Sequence, residues 1–294
     1  MASIESNLFY LLLRLINKKK FLEMQFAFGK FDFNNSKVPP KRTEKICNVH
    51  RRTVNGRNLF ELTPKNGESN RHILYLHGGA YVQNFVRQHW NFLSNLVAST
   101  HCTITAPDYP LAPKHTFRDA FNMVLPIYRE LVARGGSDHI VVMGDSAGGG
   151  FALALCQKLR LENAPQPQRI ILLSPWLDLT LTNPEIKLID PHDPFLGISG
   201  LRKAALAYAG GSDLKDYMLS PINGPLDGLG PISIFIGSND VLVADTRRLQ
   251  MLAKDQGVSI DYREYKDMVH VWMLLYFRES RHAQEEIKQL LINM

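Results

Sequence analysis

The sequence predicts an α/β fold in which a mainly parallel central sheet is covered on both faces by helices. Three observations support this prediction. Short runs rich in β-branched residues alternate with longer helical stretches along most of the 294 residues. Two glycine clusters, HGGA and GDSAGGG, directly follow two of these apolar runs. One interval, residues 174 to 231, is too long for a simple crossover between parallel strands.

Five apolar runs have the length of buried strands. They are Ile73–Leu76, Thr103–Ala106, Ile140–Met143, Ile170–Leu173 and Ile232–Ile236. Ser259–Tyr265 alternates between apolar and polar residues, which predicts a strand nearer an edge of the sheet. Before these runs, KICNVHRRTV and NLFELTP flank Asn55-Gly56, a strong turn signal, so we expect the sheet to begin with a hairpin.

Longer stretches with helical periodicity separate the strands. They are Trp90–Ser99, Phe117–Arg134, Ala147–Arg160, Ala244–Gln256 and Arg281–Ile292. Because parallel strands must be joined by a crossover, which is usually a helix, this alternation predicts a parallel sheet.

The long interval predicts an insertion that forms a lid. It contains turn-rich segments around the helical stretch SGLRKAALAYAGG, and it follows a strand of the sheet. We therefore expect it to lie above the carboxyl ends of the strands, joined by the N-terminal arm. The predicted units are an arm (residues 1–45), a first core part (46–176), the lid insertion (177–230) and a second core part (231–294).

The positive charge of the chain is concentrated in its N-terminal arm. Residues 1–52 contain eleven Lys or Arg and four acids, so the rest of a chain with net charge +6 is nearly neutral. Nucleic-acid binding is therefore not expected. The segment LFYLLLRLINKKK is too short to span a membrane and lacks the charge order of a signal peptide. Its pattern favours a helix packed over the protein's own core, and peripheral membrane contact is the less favoured alternative.

The cysteines indicate a reducing compartment. Cys47, Cys102 and Cys156 are odd in number and widely spaced, and two of them lie in apolar stretches. We expect buried thiols and a cytoplasmic protein. No metal-ligand spacing is present, and we expect neither a metal nor a cofactor.

Gly144-Asp145-Ser146-Ala147-Gly148 matches the G-x-S-x-G nucleophile elbow between a strand and a helix. The small residues allow a tight turn that exposes Ser146, and the amino end of the following helix favours developing negative charge there. Ser146 is the predicted nucleophile.

A serine hydroxyl needs a base and an orienting acid, which follow it along the chain in elbow enzymes. Of the later histidines, His282 lies among charged helical residues and His192 in the lid, whereas His270 follows the last strand. His270 is the predicted base. Asp240, at the end of the preceding strand, is the predicted acid, and Asp245 is the second candidate for that role.

The first glycine cluster is predicted to supply the oxyanion hole. A tetrahedral oxyanion needs two or three converging backbone N–H donors, and glycines allow close approach of the backbone. We expect Gly78 and Gly79 to supply two donors and Ala147 a third. His77 is expected only to brace this loop.

The motifs HGGAYV, DYPLAPKHTFRDA, GDSAGGG, SPWLDL, SNDVLVAD and DMVHVW occur in the order found in the hormone-sensitive-lipase family of carboxylesterases. The chain resembles this family over residues 70 to 290. The resemblance implies an α/β-hydrolase fold with a lid, and it matches Ser146, Asp240 and His270 to the family's triad and Gly78, Gly79 and Ala147 to its oxyanion donors.

Two departures from the family pattern concern the site. The usual HGGG ends in Ala80, at a position not expected to be the main donor, and HGF becomes His270-Val271-Trp272, which is expected to alter the pocket wall.

The predicted function is hydrolysis of uncharged carboxylic esters with short or medium acyl chains. The alternatives are a ligand receptor on the same fold, against which the retained His270 argues, and an amide or formamide hydrolase with the same triad. The expected partner is a small-molecule ester, and the sequence leaves monomer and homodimer open.

Overall fold

One eight-stranded sheet runs through the part of the chain that the computed structural model describes, residues 2–32, 35–67 and 70–294. The strands are β1 (Asn48–Val54), β2 (Arg57–Thr63), β3 (His72–Leu76), β4 (Thr103–Pro107), β5 (Ile140–Asp145), β6 (Arg169–Leu173), β7 (Ile232–Gly237) and β8 (Ile260–Tyr265). Their order in the sheet is β1-β2-β4-β3-β5-β6-β7-β8.

The sheet is mainly parallel, as predicted. Among the strands described, β2 pairs antiparallel with β1 and with β4, and the other five pairs are parallel. The β1–β2 hairpin turns at Asn55 and Gly56, whose φ values of 50° and 75° suit a tight hairpin turn. The predicted edge strand is β8, which pairs on one side with β7.

Helices cover both faces of the sheet. They are α1 (Ile4–Leu15), α2 (Phe21–Phe28), α3 (Lys41–Ile46), α4 (Arg87–Thr100), α5 (Phe117–Gly135), α6 (Ala147–Leu161), α7 (Ile186–Ile189), α8 (Ile198–Ala209), α9 (Val243–Asp255) and α10 (Arg278–Ile292). The five predicted helices correspond to α4, α5, α6, α9 and α10, so these predictions are confirmed.

The core forms two apolar layers, one on each face of the sheet. Along β3, Leu74 and Leu76 belong to one layer, and Ile73 and Tyr75 belong to the other. Because both faces are buried, the central strands are predominantly apolar instead of alternating regularly between apolar and polar residues.

Helix α1 packs on the protein with one face and presents an apolar stripe on the other. The Phe9 ring lies 6.1 Å from the ring of Phe277, and Leu13 is buried. On the opposite side, Ile4 is 79% exposed and Leu15 83% exposed. Packing over the protein's own core is therefore confirmed for one face. No helix in the described ranges has both the length and the apolar character needed to cross a bilayer.

The arm and the insertion contact each other directly. Lys19 Nζ lies 2.7 Å from Asp190 Oδ1, and Ser199 Oγ donates a 2.8 Å hydrogen bond to Glu23 Oε1. Helices α2 and α8 also pack closely, with Gly200 against Leu22. These contacts hold the two segments together, and the unit boundaries at residues 45, 176 and 230 stay a prediction.

Candidate active site

The predicted site residues lie at one edge of the sheet. Gly78 follows β3, Ser146 follows β5, Asp240 follows β7 and His270 follows β8. Because these strands are parallel, their carboxyl ends lie at the same edge, which is where open α/β sheets place ligands. The strand order brings together residues that are distant in sequence.

Ser146 has the backbone conformation of a sharp turn, with φ 53° and ψ −122°. Its N–H donates to Leu173 O at 2.8 Å, and its carbonyl accepts from the N–H of Trp176 at 2.9 Å. Helix α6 begins at the next residue. A side chain at Gly148 would overlap the carbonyl groups of Leu76 and His77, so glycine allows α6 to approach β3 closely.

Ser146, His270 and Asp240 form a continuous chain of hydrogen bonds. His270 Nε2 lies 2.8 Å from Ser146 Oγ, and His270 Nδ1 lies 2.7 Å from Asp240 Oδ2. A carboxylate only accepts, so Nδ1 carries the proton and Nε2 is left to accept from the serine hydroxyl. The N–H of Leu242 donates to Asp240 Oδ1 at 3.0 Å and orients this carboxylate.

The surroundings of His270 make its imidazole more basic than that of a free histidine. Burial disfavours the charged imidazolium, but the charge and hydrogen bond of Asp240 outweigh burial and raise the pKa of His270. Asp193 and Asp145 add smaller contributions in the same direction. The imidazole can therefore accept a proton from a serine hydroxyl more readily than a free histidine.

The other acid and base candidates from the sequence do not join this chain of hydrogen bonds. Asp245 lies in α9, where its Oδ1 accepts from Asn183 Nδ2 at 2.9 Å, and burial raises its pKa to about 6. His192 is exposed in the insertion, and His282 is exposed on α10 with its Nε2 3.7 Å from Glu286 Oε1. Asp240 and His270 are therefore the residues that the fold brings to Ser146.

Gly78 does not fit the predicted role of oxyanion donor. Its N–H donates to Asp145 Oδ1 at 2.9 Å, and Gly78 does not line the cavity beside Ser146. Gly79 and Ala80 do line that cavity, with φ values of 120° and 52°. In the described part of the chain, the N–H groups of Gly79, Ala80 and Ala147 have no acceptor. The free donors of this loop therefore begin one residue later than predicted.

The contacts of His77 agree with the predicted bracing role. Its Nδ1 lies 2.7 Å from the carbonyl of Gly78, and its ring stacks on Tyr109 at 4.4 Å. Burial, followed by the nearby His89, lowers the pKa of His77 to about 3, so the ring is neutral. It faces the core and not the cavity.

Sequence reasoning missed the role of Asp145, which precedes the nucleophile. Its carboxylate accepts from Tyr75 Oη at 2.6 Å and from the N–H of Gly78, and it lies 3.2 Å from His89 Nε2. Burial opposes its ionisation, but the charge of His89 and these hydrogen bonds outweigh burial and lower the pKa of Asp145. Asp145 therefore connects the elbow to the loop after β3.

Ser174, which sequence reasoning also missed, holds the residue that follows His270. The N–H of Val271 donates to Ser174 Oγ at 3.1 Å, and both residues have positive φ. Val271 lines the cavity, whereas Trp272 is buried with its ring 4.8 Å from that of Tyr265. Of the two residues that follow His270 in the HVW motif, Val271 is therefore the one that changes the pocket wall.

A cavity of about 540 Å³ opens above Ser146 and His270. The arm, the insertion and the segment after β8 all contribute to its wall. Its apolar lining includes Phe9, Leu13, Leu22, Phe195, Leu196, Leu201, Leu274 and Leu275. A pocket of this size accommodates a small organic molecule.

The described residues offer no cluster of three or more His, Cys, Asp or Glu side chains that could hold a metal ion. Cys47, Cys102 and Cys156 are buried and unpaired, and burial raises the pKa of each thiol. They lie in the core, away from the cavity.

Comparison with known proteins shows which protein family the chain resembles. Residues 73–274 match the family model described as the α/β hydrolase fold. The chain is 31% identical over 222 residues to an esterase of Acinetobacter venetianus, covering 74% of this chain and 73% of that one. It is 32% identical over 206 residues to an acetyl-hydrolase of Streptomyces hygroscopicus, covering 70% and 69% of the two chains.

A solved structure extends the similarity to the whole chain. The crystal structure of an esterase from the bacterial hormone-sensitive lipase family superposes with a TM-score of 0.83 at 27% identity, covering 100% of this chain and 99% of the other. The chain belongs to the hormone-sensitive-lipase family of carboxylesterases within the α/β hydrolases, as the motifs indicated.

Proposed function

We propose that this carboxylesterase works through an acyl-enzyme, with Ser146 as nucleophile, His270 as general base and acid, and Asp240 as the residue that orients His270. The observation that carries the proposal is the pair of hydrogen bonds of 2.8 Å and 2.7 Å that joins the three side chains. Asp240 is fully buried and His270 and Ser146 are nearly so, which limits competition from water for these contacts.

In the first step, the Ser146 hydroxyl proton moves to His270 Nε2 while Oγ attacks the ester carbonyl carbon. The carbonyl oxygen becomes an oxyanion. We assign its donors to the N–H groups of Gly79, Ala80 and Ala147, because they lie beside Ser146 without other acceptors in the described residues. One such donor contributes about 10²–10³-fold in kcat.

The tetrahedral intermediate then collapses. The bond to the alcohol oxygen breaks, and the imidazolium of His270 gives its proton to the departing alkoxide. Water next attacks the Ser146 acyl-enzyme as His270 takes one of its protons. Collapse of the second intermediate releases the carboxylic acid and returns the proton to Ser146 Oγ.

The substrates proposed are esters with short to medium acyl chains. The cavity volume of about 540 Å³ and its apolar wall support this size range. We also propose that the arm and the insertion together act as the lid, since both contribute wall residues and contact each other through Lys19 and Asp190.

The test is the Ser146→Ala variant assayed on 4-nitrophenyl butyrate, together with labelling of the wild type by a fluorophosphonate. We expect activity and labelling both to be lost in the variant while its circular dichroism is unchanged. Full activity in Ser146→Ala would refute the assignment. Wild-type protein that is folded but neither labelled nor active would support the receptor alternative.

The amide alternative is tested with a matched anilide. We expect 4-nitrophenyl butyrate to be cleaved much faster than 4-nitrobutyranilide. Comparable kcat/KM values for the two would instead identify an amide hydrolase that uses the same triad.

A further inference from the structure

Lys18 is a charged residue of the cavity wall that the proposed reaction does not use. It lies in the turn between α1 and α2 and lines the same cavity as Ser146 and His270. Its Nζ lies 3.8 Å from the centre of the Phe21 ring and 5.3 Å from that of Phe195. The Phe195 ring lies 5.5 Å from the ring of His270. The ammonium is therefore separated from the proposed base by about one aromatic ring.

The Lys18 ammonium has no counterion among the residues that the structure describes. Within residues 2–32, 35–67 and 70–294, no carboxylate lies within ion-pair distance of it, and its contacts are with aromatic faces. The neighbouring Lys19 differs, since it pairs with Asp190 at 2.7 Å. Burial lowers the pKa of Lys18 to about 8, so the amine is still mainly charged at neutral pH. A half-buried, unpaired charge is costly unless something compensates it.

The other charged and titratable groups that line the cavity offer this ammonium no free carboxylate. They are Lys19, Arg87, His89, Asp145 and His270. The one carboxylate among them, Asp145, is already occupied by Tyr75, Gly78 and His89. His270 is occupied by Asp240 and Ser146. A bound molecule with a negative group would therefore find an open cationic partner at Lys18.

We propose that Lys18 forms a subsite for a carboxylate group of the ester substrate, so that this enzyme prefers half-esters of dicarboxylic acids or esters of carboxylated alcohols to uncharged esters of the same size. This inference rests on the proposed ester hydrolysis at Ser146. It replaces the sequence-based expectation of an uncharged substrate, because that expectation rested on the near-neutral charge of the core and the apolar lid. The neighbouring rings of Phe21 and Phe195 lower the exposure of the ammonium to water, which would strengthen an ion pair formed there.

The two sources of the carboxylate are distinguished by two substrate pairs. For the acyl side, 4-nitrophenyl hydrogen succinate is compared with 4-nitrophenyl pentanoate. For the alcohol side, 3-carboxyphenyl butyrate is compared with phenyl butyrate. The measured quantity is the ratio of kcat/KM for the anionic ester to that for its neutral partner, and the pair with the larger ratio identifies the side that Lys18 faces.

The variants are Lys18→Met, which keeps most of the unbranched side chain and removes the charge, and Lys18→Arg, which keeps the charge. We expect Lys18→Met to lower the anionic-to-neutral ratio about tenfold or more, the range for a hydrogen bond to a charged group. Lys18→Arg is expected to retain most of the preference. The matched control is Lys20→Met, in the same turn but exposed and outside the cavity wall, which should leave the ratio unchanged.

The pH dependence gives a second readout. Because the amine is charged below a pKa of about 8, the anionic preference of the wild type should be present at neutral pH and lost as the pH rises through about 8. The ratio in Lys18→Met should not change over that range. Circular dichroism and thermal unfolding check that each variant is folded.

Three outcomes would overturn the inference. The first is an unchanged ratio in Lys18→Met. The second is an equal loss on anionic and neutral esters, which would make Lys18 a structural contact of the arm. The third is a wild-type ratio below one for both pairs. Failure of the proposed function looks different, since the wild type would then hydrolyse neither member of either pair.

Discussion

The Asp193 carboxylate accepts a 2.8 Å hydrogen bond from the N–H of Val241, the residue directly after Asp240. Its other oxygen accepts from the N–H groups of Phe195 and Leu196, which line the cavity. Asp193 is 1% exposed. One buried side chain therefore connects the wall of the pocket to the loop that carries the proposed acid.

Replacement of Asp193 by Asn should lower kcat about tenfold and move the acid limb of the kcat/KM profile to lower pH. The amide loses one acceptor oxygen. Burial and the charge of Asp240 raise the pKa of Asp193 to about 7, so its negative charge is only partly present at neutral pH, and its removal takes away a partial contribution to the raised pKa of His270. Since His270 must be neutral to act as base, a lower pKa extends activity towards acid. The pH–rate profile on 4-nitrophenyl butyrate measures both effects.

The control for Asp193→Asn is Asp213→Asn. Asp213 also lies in the insertion and accepts a backbone N–H, from Lys215 at 3.0 Å, but it is exposed. Its variant should keep the wild-type profile. An acid limb that stays in place in Asp193→Asn would contradict the electrostatic link to His270.

Replacement of Asp240 by Asn should lower kcat about 10⁴-fold, because an amide no longer selects the tautomer of His270 that can accept the serine proton. Asp245→Asn is the matched comparison, since Asp245 is buried nearby but bonds to Asn183 and not to His270. We expect only a small change in its kcat. A larger loss in Asp245→Asn than in Asp240→Asn would reverse the assignment of the acid.

Replacement of Gly78 by Ala should reduce kcat at least about 100-fold and destabilise the fold by about 1–3 kcal/mol. The added Cβ would overlap the Asp145 carboxylate and lie 3.0 Å from Ser146 Cβ, so both must shift. Gly135→Ala is the control, because no atom of the described residues beyond its chain neighbours and its own helix backbone lies within 4 Å of the added Cβ. Urea unfolding and steady-state kinetics measure the two effects. Wild-type activity in Gly78→Ala would show that the loop tolerates the added atom.

Replacement of Tyr75 by Phe should lower the free energy of unfolding by about 1.5–3 kcal/mol, because the buried Asp145 carboxylate loses a charge-assisted hydrogen bond of 2.6 Å. Since the pKa of Asp145 is lowered in the folded protein, its stabilising contribution is present above the ordinary carboxyl pKa and is lost as the pH falls through the lowered one. The variant should therefore differ most from the wild type near neutral pH.

Urea unfolding at neutral and acid pH tests this expectation. Tyr276→Phe serves as the control, since Tyr276 is 54% exposed and its hydroxyl makes no hydrogen bond within the described residues. An equal stability of Tyr75→Phe and Tyr276→Phe at neutral pH would argue against the role given to this hydrogen bond.

Deletion of residues 1–40 should change the acyl-chain preference more than the binding to liposomes. The deleted segment includes Phe9, Leu13 and Leu22 of the cavity wall, whereas the exposed stripe of α1 is only a few side chains wide. A series of 4-nitrophenyl esters and a vesicle sedimentation assay make the comparison. A large loss of vesicle binding with an unchanged preference would identify the arm as a membrane anchor.

Local patterns in the sequence predicted the helices and strands and the three side chains proposed as catalytic. Apolar runs such as Ile140–Met143 predicted strands because burial on both faces leaves no polar positions. The G-x-S-x-G turn singled out Ser146 because only small neighbours permit its backbone conformation. Chain order then selected Asp240 and His270, since parallel strands place their carboxyl ends together.

The tertiary structure alone decided which backbone and charged groups are free to act. The sequence shows two adjacent glycines but not that the N–H of Gly78 is taken by Asp145, a contact between residues 67 positions apart. It likewise shows three consecutive lysines. Lys19 pairs with a carboxylate, whereas Lys18 faces the cavity with no carboxylate partner in the part of the chain that the structure describes. A hydrogen bond or an ion pair depends on distances between atoms from different elements. Those distances are set by how the arm, the insertion and the sheet pack together, and no local pattern in the sequence encodes them.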